Sequence, residues 1–150
     1  MSDVDPLNVD EERFWRALMR VIIALPRSLD EDLLRSTGLS LTEYIVLVKL
    51  SEAENQELRM TDLAAACALS ASRITRIVET LQARGQVVKR RHEADGRGLV
   101  ASPTPDGLKR LQGAYPVHLA SARKRVVDQL DGQSLPSLVG QREAVAKKLG

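Results

Sequence analysis

Apolar side chains recur at three- and four-residue spacing along most of the chain, the period of helices with one buried face. Over residues 10–36 the stripe is Phe14, Leu18, Val21, Ile22, Leu25, Leu29 and Leu33, interrupted by Pro26. An interior proline removes one backbone hydrogen bond and costs about 3 kcal/mol, so a kink or short break is expected there. Gly38 stands where a helix C-cap belongs. A second helix is predicted over 42–54. With Leu41, Tyr44, Ile45, Leu47, Val48 and Leu50 it is apolar on more than one side, which predicts burial on several sides. Leu58-Arg59-Met60 reads as a short extended piece able to join a sheet as a third strand.

The pattern over 61–102 predicts two short helices, a tight connection and a two-stranded hairpin. Thr61 is the expected N-cap of the first, with Asp62 favouring the positive end of its dipole and Leu63, Ala64 and Cys67 facing inward. Ser70 caps the second, which runs to Ala83. Its Ile74, Ile77, Val78 and Leu81 form one stripe, and Ser72, Arg73, Thr75, Arg76 and Glu79 form the other side. Gly85 follows, as expected just past a helix end. Residues 87–92 and 99–102 then read as paired strands. Asp95-Gly96 in the tip between them is a strong turn signal, because glycine supplies positive φ. A further helix is predicted over 106–130, carrying Leu108, Leu111, Leu119, Val126 and Leu130 and kinked at Pro116. Asp131-Gly132 stops it. Ser134 is the expected cap of a last helix, with Pro136 in its first turn and Leu138, Val139, Val145, Ala146 and Leu149 as apolar positions.

At 150 residues one domain is the default, and 43% hydrophobic content is enough for a packed core. The net charge of +2 is too small to argue for nucleic acid, but its distribution is informative. Residues 70–110 hold nine cationic and four acidic side chains, a net of +5, which leaves −3 for the rest. No apolar run reaches the ~18 residues of a membrane span, and the chain opens acidic, unlike a secretory signal. The single cysteine excludes an intramolecular disulfide and fits a reducing compartment, so a cytoplasmic location is expected.

A helix pair followed by a basic hairpin is a winged helix-turn-helix, here within a mainly α chain. The expected order is helix, helix, strand, helix, helix, strand, strand, helix, helix. The stretch resembles the MarR family (multiple antibiotic resistance regulators). Asp95 and Arg97 match that family's wing signature of Asp, any residue, Arg, and Leu81-Gln82-Ala83-Arg84-Gly85 followed by Val87-Val88 matches its helix end. The family's usual Leu-Thr-x-x-Gly start of the next helix is Pro103-Thr104-Pro105-Asp106-Gly107 here, so the entry of that helix departs from the pattern. The resemblance implies a homodimer that binds double-stranded DNA as a transcriptional regulator, often a repressor. On this reading 41–102 is the DNA-binding lobe, and 10–37 and 106–149 are dimerisation helices. The apolar stripes of the terminal helices independently exceed what one small lobe covers.

The helix from Ser70 then enters the major groove, with Ser70, Ser72, Arg73, Thr75 and Arg76 as base or phosphate contacts. Lys89, Arg90 and Arg91 neutralise phosphates. Arg97, held out by the Asp95 turn, goes to the minor groove, where negative potential concentrates. Each of these cations is otherwise an ordinary solvated charge, and Asp95 a plain turn former. Relatives in the family bind small, often phenolic, anions between the helical and DNA lobes. By that analogy Trp15, Tyr44 and His118 are ligand candidates, with simple packing as the alternative for each. Cys67 is either a small core hydrophobe or a redox-sensing thiol. A winged domain that binds protein is the other alternative. There is no metal-ligand spacing, Gly-rich phosphate loop, nucleophile elbow or useful carboxylate pair, so neither cofactor nor catalysis is expected.

Overall fold

The computed structural model describes residues 4–94, 96 and 98–149. The first helix, α1 (Val9–Thr37), is opened by a capping box between Asn8 and Glu11 and closed by Gly38 at φ +73°, whose N–H donates to the Leu34 carbonyl. It continues through Pro26 as one helix, so no break occurs there. One proline deletes one bond from a long ladder, and the turns on both sides keep theirs. α2 (Leu41–Glu52) has a second capping box, in which Ser40 Oγ accepts from the Glu43 N–H (3.1 Å) and the Glu43 carboxylate accepts from the Ser40 N–H (2.9 Å). It ends two residues before the expected limit. A 3₁₀ turn, Glu54–Gln56, follows with Asn55 at φ +55°, a left-handed conformation asparagine tolerates.

β1 (Leu58–Arg59) leads directly into α3 (Met60–Ala66). Thr61 is therefore not the cap of α3. It lies inside the first turn, and the N-cap position is Arg59, whose extended backbone belongs to the strand. α4 (Ala71–Ala83) is capped as expected by Ser70, whose Oγ accepts from the Arg73 N–H at 3.3 Å. β2 (Val87–Arg91) and β3 (Leu99–Pro103) pair antiparallel, and β1 adds to the free side of β3, giving the sheet order β1-β3-β2. This confirms the third strand.

The departure at 103–107 has a clear outcome. α5 (Pro105–Arg125) starts with proline in its first turn, and Thr104 is its N-cap. The Thr104 hydroxyl accepts from the Gly107 N–H (3.0 Å) and donates to the Gly85 carbonyl (2.6 Å), joining the helix start to the wing entry. α5 runs unbroken through Pro116 but ends at Arg125, short of 130. Val126 leaves helical geometry and a 3₁₀ turn, Val127–Gln129, follows. α6 (Leu135–Leu149) has Pro136 in its first turn. Ser134 stands at its N-cap position, with its carbonyl accepting from the Leu138 N–H (3.1 Å) while its hydroxyl donates to Asp131 Oδ2 (3.2 Å) in the preceding turn.

α2 is central to the core. Tyr44, Val46, Leu47 and Leu50 are buried against residues from α1, α3, α4, the sheet and α5, among them Leu33, Leu63, Ile74, Val78, Leu81 and Ala114. This is the burial on several sides that its density of apolar residues predicts. α1 is tied to α5 by Asp32, whose Oδ2 accepts from Ser121 Oγ (2.5 Å) and from Arg125 (2.8 Å). The Ser121 hydrogen bond, followed by Arg125, holds the Asp32 carboxyl below its ordinary pKa.

Candidate nucleic-acid interface

The stripe of α4 that predicted burial faces the core: Ile74, Val78 and Leu81 are within 1% of full burial, and Ile77 packs half-buried against the same cluster. Its other side is fixed by that burial and points to solvent, presenting Ser72, Arg73, Thr75 and Arg76 with Ser70 at the cap, all exposed. The C-terminal end of α4 is fastened to α2, where Arg84 donates to both oxygens of the buried Glu43 carboxylate at 3.2 Å. Thr75 Oγ1 donates to the Ala71 carbonyl (2.8 Å), so its methyl and remaining acceptor capacity face outward.

Among the described residues Arg73, Arg76, Lys89 and Arg91 form no ion pair. Their charge is uncompensated on one side of the molecule, beside a row of hydroxyls. Lys89 and Thr75 line one crevice of about 510 Å³ with Arg59, Met60, Thr61, Gly98 and Leu99, so α4 and the wing share a surface. Arg90 differs. Its guanidinium is paired with Glu57 at 2.5 Å, and it also donates to the Arg91 carbonyl. Arg59, just after Glu57 in the same extended segment, lies 3.4 Å from both ring nitrogens of His92. The sequence placed Arg59 in an extended piece and His92 in the wing, but Glu57 and these two pairings went unseen. The available signal was the period of two at Glu57 and Arg59, which puts both on one side of a strand.

Asp95 and Arg97 lie outside the described residues. Around them the hairpin closes: His92 and Gly98 pair at 3.2 Å, and the Gly96 N–H donates to the His92 carbonyl at 3.1 Å. Gly96 and Gly98 take φ +59° and +93°, which a side chain would strain.

Of the ligand candidates, Tyr44 and His118 come together, stacked with centroids 4.6 Å apart. Burial raises the Tyr44 pKa and lowers that of His118, and His118 Nδ1 is buried without a hydrogen-bond partner. Tyr44 lines a cleft of about 350 Å³ with Val48, Ser51, Glu52, Leu111, Gln112 and Tyr115. Trp15 stands half exposed on α1 and does not line that cleft. Cys67 is half-buried, and burial pushes its thiol pKa up, against the thiolate that a redox sensor needs. Among the described residues no three His, Cys, Asp or Glu side chains cluster as a metal site, and no helix is long and apolar enough to cross a membrane.

Comparison with known proteins follows the same lines. Residues 37–98 match the sequence model of the MarR family. Sco3205, a MarR family transcriptional regulator from Streptomyces coelicolor solved in complex with DNA, is 31% identical with a TM-score of 0.91, over 98% of this chain and 92% of that one. AbsC, a MarR family transcriptional regulator from the same organism, is 33% identical with a TM-score of 0.88, over 97% and 98%. CouR from Rhodococcus jostii RHA1, solved bound to p-coumaroyl-CoA, shares the fold at 21% identity and a TM-score of 0.77, over 94% and 96%. No curated protein sequence matches.

Proposed function

The chain belongs to the MarR family of transcriptional regulators, and from that premise we propose that it is a homodimeric, sequence-specific DNA-binding protein that represses transcription from a pseudopalindromic operator. The observation that carries this reading is the uncompensated outer side of α4. Ser70, Ser72, Arg73, Thr75 and Arg76 present hydroxyl and guanidinium groups on a helix whose other side is locked in the core. In the major groove such groups read base edges and phosphates. Lys89 and Arg91 neutralise flanking phosphates, and Arg97 contacts the minor groove. Sco3205, solved with DNA, supports the same partner.

Residues 41–102 form the DNA-binding lobe, and 10–37 and 106–149 the dimerisation helices. What supports a dimer is apolar surface with no cover: Phe14 is 67%, Ile23 72% and Val145 58% exposed. Two-fold symmetry then places the half-sites about 10 bp apart, one helical turn. Size-exclusion chromatography with light scattering at micromolar concentration gives a dimer on this reading, and a monomer contradicts it. The protein works in the cytoplasm, where the genome is accessible.

A small aromatic ligand, such as a phenol, releases the repressor from the cleft beside Tyr44. Tyr44 and Tyr115 line that cleft with Ser51 and Gln112, a mixed aromatic and polar lining that supports such a ligand. A ligand shifts the spacing of the two α4 helices only as far as it binds the two arrangements with different affinity.

Arg97→Ala and Arg73→Ala test the DNA reading. Each loses about 1–3 kcal/mol of operator binding if the side chain contacts a base, and a winged module that binds protein instead shows no change.

A further inference from the structure

The wing strand β2 alternates sides, as every strand does. Val87 and Lys89 belong to the side that faces the core, since Val87 and Ala101, the register partner of Lys89, are both buried in the core. Arg90 therefore belongs to the outer side. The register puts Arg59, Val100 and Arg90 in one row across β1, β3 and β2. Val100, between the two arginines in that row, is 2% exposed and stands apart from the main core cluster. The head of Arg90 is held on Glu57 at 2.5 Å.

This places one cation of the basic strand under a carboxylate while Lys89 and Arg91 stay uncompensated. We propose that Glu57 limits the sequence-independent affinity of the protein for DNA by holding the Arg90 guanidinium off the phosphates. The inference rests on the DNA-binding reading above and assigns opposite roles to neighbouring cations of one strand. Arg90 is a wing-packing residue in the wild-type protein and a phosphate ligand only when Glu57 is lost. Guanidinium pairs bidentately with phosphate as readily as with carboxylate, so the released head has a ready partner in the DNA backbone. The Glu57–Arg90 pair is itself partly exposed, at 32% and 43% of the two side chains, so its loss leaves the sheet folded.

The test uses the full chain as wild type, Glu57→Gln, Arg90→Ala and the double variant, on a duplex of arbitrary sequence between about 50 and 200 mM salt. Each phosphate contact contributes about 0.9 to the slope of log affinity against log salt. Glu57→Gln is expected to steepen the slope by about 0.9, a three- to fourfold larger loss of affinity over that range. Arg90→Ala is expected to keep the wild-type slope, and the double variant to match Arg90→Ala. A slope that flattens by about 0.9 in Arg90→Ala alone means that Arg90 already contacts phosphate, and it overturns the proposal. So does an unchanged slope in Glu57→Gln, or a double variant as steep as Glu57→Gln. A wild-type protein that binds no duplex at any salt sinks the regulator reading itself, whereas each of the other results leaves that reading standing.

Discussion

Replacing Gly107 by alanine should destabilise the protein by about 2 kcal/mol, although alanine is the better helix former. Gly107 is buried in the first turn of α5, where the wing returns to the helical part. A Cβ built there falls 2.0 Å from the Gln86 carbonyl oxygen and 3.0 Å from its carbon, where ordinary contact begins at 3.4 Å. Both atoms are backbone, so no side chain can rotate away. That oxygen also accepts the Thr104 N–H at 3.0 Å, so moving it disturbs the N-cap of α5. Overpacking costs about 1–3 kcal/mol and the lost hydrogen bond about 0.5–1.5, against about 1 regained from helix propensity. For a chain of this size the net loss lowers Tm by roughly 4–8 °C. Gly113 in the same helix is the control. A Cβ there meets nothing within 4 Å, so Gly113→Ala should stabilise by about 0.5–1 kcal/mol. Urea unfolding of both variants at matched chain concentration measures the two signs. A Gly107→Ala protein as stable as wild type would refute the contact argument.

Two titrations follow from the buried and paired groups. Asp32 has its pKa lowered by Ser121 and then Arg125, so it stabilises the fold above its ordinary value of 3.8, and that contribution is lost as pH falls through the lower folded value. Asp32→Asn should therefore unfold earlier than wild type at pH 7, with the two denaturation midpoints converging as pH falls below the ordinary value of 3.8. His118 is shifted down by burial, so the fold keeps its full stability above the ordinary value of 6.5 and loses some as pH falls below it. His118→Phe should flatten the stability profile below pH 6.5, and an NMR titration of the His118 ring should show a midpoint below 6.5.

The parts of the fold legible in the sequence are those with a local cause. Ile74, Val78 and Leu81 sit on one helical stripe, so burying them left Arg73 and Arg76 outside, and both facts were readable from spacing. Ser70 could be recognised as a cap because its hydroxyl needs only the next turn. Thr61 looked equally good, but β1 entering the helix directly took the cap position for Arg59, a tertiary cause with no local trace. Pro26 allowed a break as well as a kink, yet α1 and α5 pack along each other and both run on through their prolines. The pairs that hold the site join residues far apart in sequence. Glu57 and Arg90 are 33 positions apart, Glu43 and Arg84 are 41, and Asp32 and Ser121 are 89. No periodicity marks such partners. The candidate site was therefore legible as a surface, and its internal restraints, including the one that sets Arg90 apart from Lys89, were not.

The central claim is sequence-specific DNA binding, and selection of genomic fragments by the purified protein across a salt series tests it most directly. The account predicts enrichment of one inverted repeat whose half-sites lie about 10 bp apart and whose affinity stands above the salt-sensitive background. Steeply salt-dependent binding with no enriched sequence, or no binding at low salt, would contradict it.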